Sequence, residues 1–336
     1  MKHINVSLFV PHLGCPNTCI FCNQRTISGK CEPLQNEDII KAAEIAKTGK
    51  YDIKNSEIAF FGGSFTAIDK DKMISYLETA KPYIGKYFGG IRISTRPDCI
   101  DSEILGVLKN YGVTAIELGA QSMCEDVLIK NERGHTPEDT KKAAALIKEY
   151  GFSLGLQMMT GLYGSNEEKD IYTAKKFIEL SPDTVRIYPT VVLENTKLAE
   201  LYKNGEYTPE SLENAVSLCA RLLLMFREKN IKVIRLGLHS GGNVEEGFVA
   251  GVFHPAFREL CETEIYKNII EEKLSSFPKG DYLIKVAPSE ISKALGHKKS
   301  NAMYFGEKGK NIKVTGDGTL SQYNVLLIRE EKEDVS

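Results

Sequence analysis

The feature that most constrains this chain is an alternation of short strand-forming runs with amphipathic helical stretches through its first 190 or so residues. Strands are expected at Asn5–Val10, Glu57–Phe61, Ile91–Ser94, Thr114–Leu118, Phe152–Met159 and Thr184–Tyr188. Between them, helical spacing predicts Glu37–Lys47 with Asn36 as its N-cap, Asp69–Tyr83, Asp101–Asn110, Pro137–Tyr150 capped by Thr136, and Asn166–Glu179. A strand that is followed by a helix can return parallel to its predecessor, so the pattern implies an α/β fold with helices outside a parallel sheet. Six such units predict a partial (β/α)6 TIM-like barrel, open on one side, since eight would close it.

The pattern changes after Tyr188. A long helix is expected at Pro209–Lys229, a strand at Lys232–Leu236, a Gly-rich loop at Leu238–His254 and a helix at Ala256–Leu274. Pro278 and Gly280 mark Phe277–Asp281 as a linker. Beyond it, short strands and one helix predict a C-terminal α/β extension. The expected domains are therefore a barrel over 1–200, a helical or lid extension over 201–276, and a small α/β module over 282–328.

Composition excludes some partners. The formal net charge of -2 provides no global field for nucleic acid or anionic membrane. No apolar run approaches the roughly 20 residues that a membrane helix needs. The opening residues Met1–Pro11 read as a strand, without the apolar core of a signal peptide, so a cytoplasmic location is expected.

Four of the eight cysteines fall between positions 15 and 31, and three of these form C-x3-C-x2-C as Cys15, Cys19 and Cys22. In a chain with no secretion signal, such clustering points to metal rather than to disulfides. Thiolates this close on one loop can converge on a small inorganic core. Three ligands leave one iron of a [4Fe–4S] cubane open to a small molecule. A zinc site completed by Cys31 or His12 is the competing reading, with three buried thiols as a further one.

With Phe21 before the last cysteine, this loop resembles that of the radical S-adenosylmethionine superfamily. That resemblance implies a [4Fe–4S] cluster whose open iron chelates S-adenosylmethionine and reductively cleaves it to a 5′-deoxyadenosyl radical. Gly62-Gly63-Ser64 at the end of the second strand matches the glycine-pair motif that contacts the methionine amine there. Further along, Ser94-Thr95-Arg96-Pro97-Asp98, the run from Ile116 to Gly164 including Arg133-Gly134-His135, and Arg186-Ile187-Tyr188 resemble the catalytic subunit of Elongator and its prokaryotic relatives. Oxygen-independent coproporphyrinogen oxidases share the layout more distantly. The resemblance implies that Phe21, Gly62, Gly63, Ser64, Gln121, Arg133 and Gln157 bind the cofactor. An arginine can pair a carboxylate in bidentate fashion, and amides can bridge ribose hydroxyls. Ser94 stands where these relatives carry Glu. The resemblance covers roughly residues 5–200, and too few residues follow the linker for an acetyltransferase domain like Elongator's.

The expected function is hydrogen abstraction from a substrate, with tRNA base modification the first guess and a tetrapyrrole or small metabolite the second. An external electron donor of the flavodoxin or ferredoxin type is implied. A non-catalytic iron–sulfur sensor or an RNA-binding module is the alternative. His239, His254 and Tyr188 could face a substrate. The basic turn Gly296–Asn301 reads better as solvated surface than as a phosphate loop. Cys31 as an extra ligand stays open.

Overall fold

A computed structural model describes residues 4–10, 15, 19–23, 33–238 and 245–329. The chain forms two compact units: Met1–Leu212 with Met225–Phe253, and Glu213–Leu224 with His254–Ser336.

The first unit is built on β1 (Asn5–Val10), β2 (Glu57–Gly62), β3 (Gly90–Thr95), β4 (Val113–Gln121), β5 (Ser153–Thr160) and β6 (Thr184–Pro189). β7 (Val191–Leu193) follows, and β8 (Lys232–Leu236) comes after the helix Leu212–Glu228. The main sheet has seven strands in the order β1-β2-β3-β4-β5-β6-β8. Every neighbouring pair in it is parallel. This is the expected partial (β/α) barrel with one correction: β8 joins it as a seventh strand, so the sheet continues past residue 200.

Apolar and polar side chains alternate along β3 to β6. Ile91, Ile93, Ile116, Leu118, Leu154, Leu156, Val185 and Ile187 are buried. The residues between them, Arg92, Ser94, Glu117, Gln157 and Arg186, point to the opposite face, because successive side chains in a strand do. The helix Pro137–Glu149 shows how the outer layer is set. Thr136 and Asp139 form a reciprocal capping box at its start. Its buried stripe is Thr140, Ala143, Ala144 and Ile147, one face of a 3.6-residue period.

Other departures are local. β4 runs to Gln121, three residues beyond the expected end, past a register shift between Leu118 and Gln121. The short helix Glu125–Lys130 carries no sequence expectation. Gln35 rather than Asn36 caps the first helix. Within the stretch read as a loop, β9 (Phe248–Gly251) pairs antiparallel with β7.

The second unit carries β10 (Gly280–Val286), β11 (Lys310–Gly316) and β12 (Leu326–Arg329) in the order β11-β10-β12. β10 thus starts inside the expected linker. Glu262 and Glu290 are buried there, with the Lys293 ammonium 3.0 Å from each. Among the described residues, no helix is long and apolar enough to cross a membrane.

Candidate cofactor site

The first unit carries two polar groupings, an outer one at the strand ends and an inner one part-way along β3 to β6. The outer one begins at the cysteine segment. Cys19 is buried, while Cys15 and Cys22 are half-buried. A tight turn closes with Cys22 N–H donating to Cys19 O at 3.0 Å. Ile20 N–H donates to Asn131 O at 3.3 Å, and Leu198 N–H donates to Ile20 O at 2.8 Å. Ile20 packs with Val192, Leu198, Ala199 and Tyr207, and Phe21 lies against that same apolar group. Among the described residues, no three Cys, His, Asp or Glu side chains are gathered as a metal cage. Cys31, His12 and the 16–18 part of the loop lie outside the described residues.

Gly62 ends β2 with φ of 105°, a conformation that favours glycine. Gly63 N–H donates to Val10 O at 2.8 Å, tying this turn to β1. Ser64 is buried, and its hydroxyl accepts from Arg96 N–H at 3.1 Å. Thr66 donates to Cys99 O at 2.6 Å. That fixes the direction of the chain behind it: Ser64 donates to Thr95 at 2.8 Å, and Thr95 to Thr66 at 2.6 Å. Ser64 therefore clamps β2 to β3.

At the end of β4, Gln121 sits at φ of 64°. A non-glycine residue there stores of order 1 kcal/mol of strain, so the surroundings must hold it. A Cβ added to Gly119 would lie 3.2 Å from Gln121 Nε2 and 3.6 Å from Arg133 Nη2. The missing side chain lets both groups converge. Arg133 Nη2 donates to Gly119 O at 2.5 Å, and Nη1 donates to Cys19 Sγ at 2.9 Å. Arg96 pairs Asp98 through two bonds of 2.9 Å and also donates to Arg133 O at 2.5 Å. His135 Nε2 lies 3.2 Å from Ala120 O, so it carries the proton. Burial, reinforced by the Arg133 and Arg96 charges, pushes this imidazole down to about 4, and it is neutral at pH 7.

Gln121 Oε1, Arg133 Nε and His135 Nδ1 are buried here without a partner among the described residues. Buried polar groups are normally satisfied. A donor and two acceptors left open beside a buried thiol fit a ligand with both an anionic group and N–H or O–H donors. An amino acid joined to a ribose has both. Thiolates are the ligand type that iron–sulfur cores take.

The inner grouping contrasts with this. Glu117 is buried and accepts from Arg186 Nε at 2.6 Å and Nη2 at 2.9 Å. It also accepts from Arg92 Nη1 at 3.2 Å and Gln157 Nε2 at 2.9 Å. Arg92 Nε reaches Glu57 at 2.6 Å, and Gln157 donates to Ser94 at 3.4 Å. Arg186 stacks 5.0 Å above the Phe61 ring. Burial works against its charge, but Glu117 more than offsets this and holds its pKa above the ordinary value. Burial also pushes the Tyr188 phenol up. A Cβ at Gly155 would lie 2.8 Å from Glu117 Cγ, so this glycine makes room for the carboxylate.

Behind β5, Asp170 anchors the Gly161 turn by accepting from Gly161 N–H at 2.9 Å and Ser165 Oγ at 2.6 Å. Burial pushes its carboxyl up to about 7.

The structure thus brings Cys19, Gln121 and Arg133 together, and it places Gln157 in the inner grouping. His254 accepts from Ala256 N–H at a helix start in the second unit, and His239 lies outside the described residues. Sequence reasoning assigned no role to Glu117, Arg92, Arg96 or Asp170. The first two were readable as single charges within otherwise uncharged strands.

Residues 9–177 match the model of the radical SAM superfamily, and residues 182–267 that of the radical SAM C-terminal domain. The tRNA uridine(34) acetyltransferase of Methanocaldococcus jannaschii is 42% identical over 130 residues, covering 38% of this chain and 24% of the relative. Elongator complex protein 3 of Homo sapiens is 38% identical over 139 residues, covering 40% of this chain and 25% of the relative. The chain thus spans about a quarter of the length of these relatives. The solved structure of the archaeal Elp3 of Methanocaldococcus infernus superposes with a TM-score of 0.62 at 22% identity, over 82% of this chain and 64% of that one.

Proposed function

This chain belongs to the radical SAM superfamily, as an enzyme that uses a [4Fe–4S] cluster and S-adenosylmethionine, and from that premise we propose that it modifies a base in tRNA. We assign Cys15, Cys19 and Cys22 to the cluster, and Gln121 and Arg133 to the cofactor, with Gly62 and Gly63 placing no side chain at the end of β2. When bound, cluster and cofactor supply a carbon-centred radical that abstracts hydrogen from substrate.

The residues of the chain do the rest. Arg133 Nε can donate to a carboxylate, and Gln121 Oε1 can accept from a hydroxyl or ammonium. Neutral His135 offers Nδ1 as an acceptor rather than adding a third charge. Phe21, packed on the Ile20 group, holds the segment between Cys19 and Cys22 against the apolar cluster. Gln157, held by Glu117 and Ser94 through its amide nitrogen, can only present its oxygen.

One structural observation carries the site assignment: the three unpartnered buried atoms beside Cys19. The substrate class is supported by the similarity to a tRNA uridine(34) acetyltransferase. The electron would come from an external flavodoxin- or ferredoxin-type donor. The test is formation of 5′-deoxyadenosine by the anaerobically reconstituted chain, with and without tRNA. The reading expects tRNA to raise the rate and hydrogen to pass from a tRNA nucleoside labelled with deuterium into 5′-deoxyadenosine. A rate that tRNA leaves unchanged but a porphyrinogen raises would overturn the substrate class.

A further inference from the structure

Arg133 does more here than a cofactor contact requires. Its N–H is bonded to Leu128 O at 3.0 Å, and its carbonyl is held by Arg96, itself fixed by Asp98. Its guanidinium is buried, with Nη2 pinned on Gly119 O and Nη1 on Cys19 Sγ. Both contacts are made within the protein fold itself. The fork is therefore preorganised on the sulfur, and Nε is its one nitrogen with no partner among the described residues.

We propose that Arg133 is a positioning and redox-tuning residue, whose bond to the sulfur of Cys19 sets the potential at which the cluster accepts its electron. This rests on the assignment of Cys19 as a cluster ligand. Reduction adds one electron to the cluster, and part of that charge resides on the cysteinyl sulfurs. A donor N–H and a fixed positive charge stabilise the reduced form more than the oxidised one, which raises the potential. The guanidinium cannot lose its proton, so its charge is constant across physiological pH. The step is a one-electron transfer with no proton moved. The cluster goes from the 2+ to the 1+ state, and a low-potential flavodoxin- or ferredoxin-type donor is oxidised by one electron. The same arginine then links the two partners, since Nε faces the cofactor while Nη1 faces the cluster.

The experiment uses the full chain, reconstituted anaerobically with iron and sulfide, as wild type, Arg133→Met and Arg133→Lys. Iron content is measured first. The midpoint potential is then taken by EPR-monitored titration with dithionite in the absence of S-adenosylmethionine. The expected result is a more negative midpoint in Arg133→Met. The ratio of reduced to oxidised cluster at a fixed solution potential falls about tenfold, or about 59 mV for one electron. Arg133→Lys, a charge without the fork, falls between. An unchanged midpoint in both variants overturns the proposal and leaves Arg133 a cofactor contact only. If Arg133→Met fails to load iron, Arg133→Lys decides alone, and an unshifted midpoint there overturns it. A wild type that loads no iron overturns the underlying assignment, and the iron content reports that separately.

Discussion

The two polar groupings of the first unit are finished differently. Around Glu117, the carboxylate oxygens accept from Arg186, Arg92 and Gln157 within 2.6–3.2 Å. Around Cys19, the protein leaves a glutamine oxygen, an arginine nitrogen and an imidazole nitrogen buried without partners. A buried charge network holds a structure only when its members are satisfied. Unsatisfied groups persist where something else completes them. The difference supports reading the inner grouping as scaffold and the outer one as the proposed cofactor site.

Substitutions can break this contrast. The largest effect is expected at Glu117. Glu117→Ala removes the carboxylate that Arg186 pairs with and leaves Arg92 only Glu57, and should cost about 3–5 kcal/mol of stability in urea unfolding. A loss below about 1 kcal/mol would mean the inner grouping is not scaffold.

His135 comes next, through pH. Its folded pKa of about 4 lies below the unfolded 6.5. Its contribution is fully present above pH 6.5 and is lost as pH falls through about 4. The loss is roughly 3 kcal/mol at 1.4 kcal/mol per unit. Wild type should therefore lose more stability than His135→Gln between pH 7 and 4. Asp170 is raised and so opposes this trend. Its contribution is full below pH 3.8 and is lost as pH rises through about 7. It acts in both proteins and cancels in the comparison. Equal slopes for the two proteins would contradict the buried neutral imidazole.

Gly155→Ala pushes a methyl against Glu117 Cγ and should cost about 1–3 kcal/mol. Gln121→Gly should do the least to stability, under about 1 kcal/mol, because it also releases the strain at φ of 64°. Yet it should weaken S-adenosylmethionine binding about tenfold, the loss of roughly one hydrogen bond. Unchanged affinity by calorimetry would remove Gln121 from the site.

The sequence was legible where period and spacing carry the signal. Ile116-Glu117-Leu118 and Val185-Arg186-Ile187 mark strands by their apolar positions, so all six expected strands stand where alternation put them. The C-x3-C-x2-C spacing singled out the candidate cluster segment without any structure. Partners across the sheet were not legible. Glu117 meets Arg92, 25 positions away, and Arg186, 69 positions away, only because β3, β4, β5 and β6 lie side by side. Gln157 shows the same limit: its motif suggests a cofactor contact, while its amide nitrogen is engaged by Glu117. The seventh strand was visible as a strand, but its membership of the sheet depends on a crossover through the long helix before it. The positive φ of Gln121 left no trace in residue type.

The central claim is that ligand binding completes the outer grouping and leaves the inner one alone. Hydrogen exchange read by mass spectrometry, on the anaerobically reconstituted chain with and without S-adenosylmethionine, tests it most directly. The account predicts added protection over 119–123 and 131–135, with 184–188 unchanged. Protection confined to 184–188, with 119–135 exchanging as before, would contradict it.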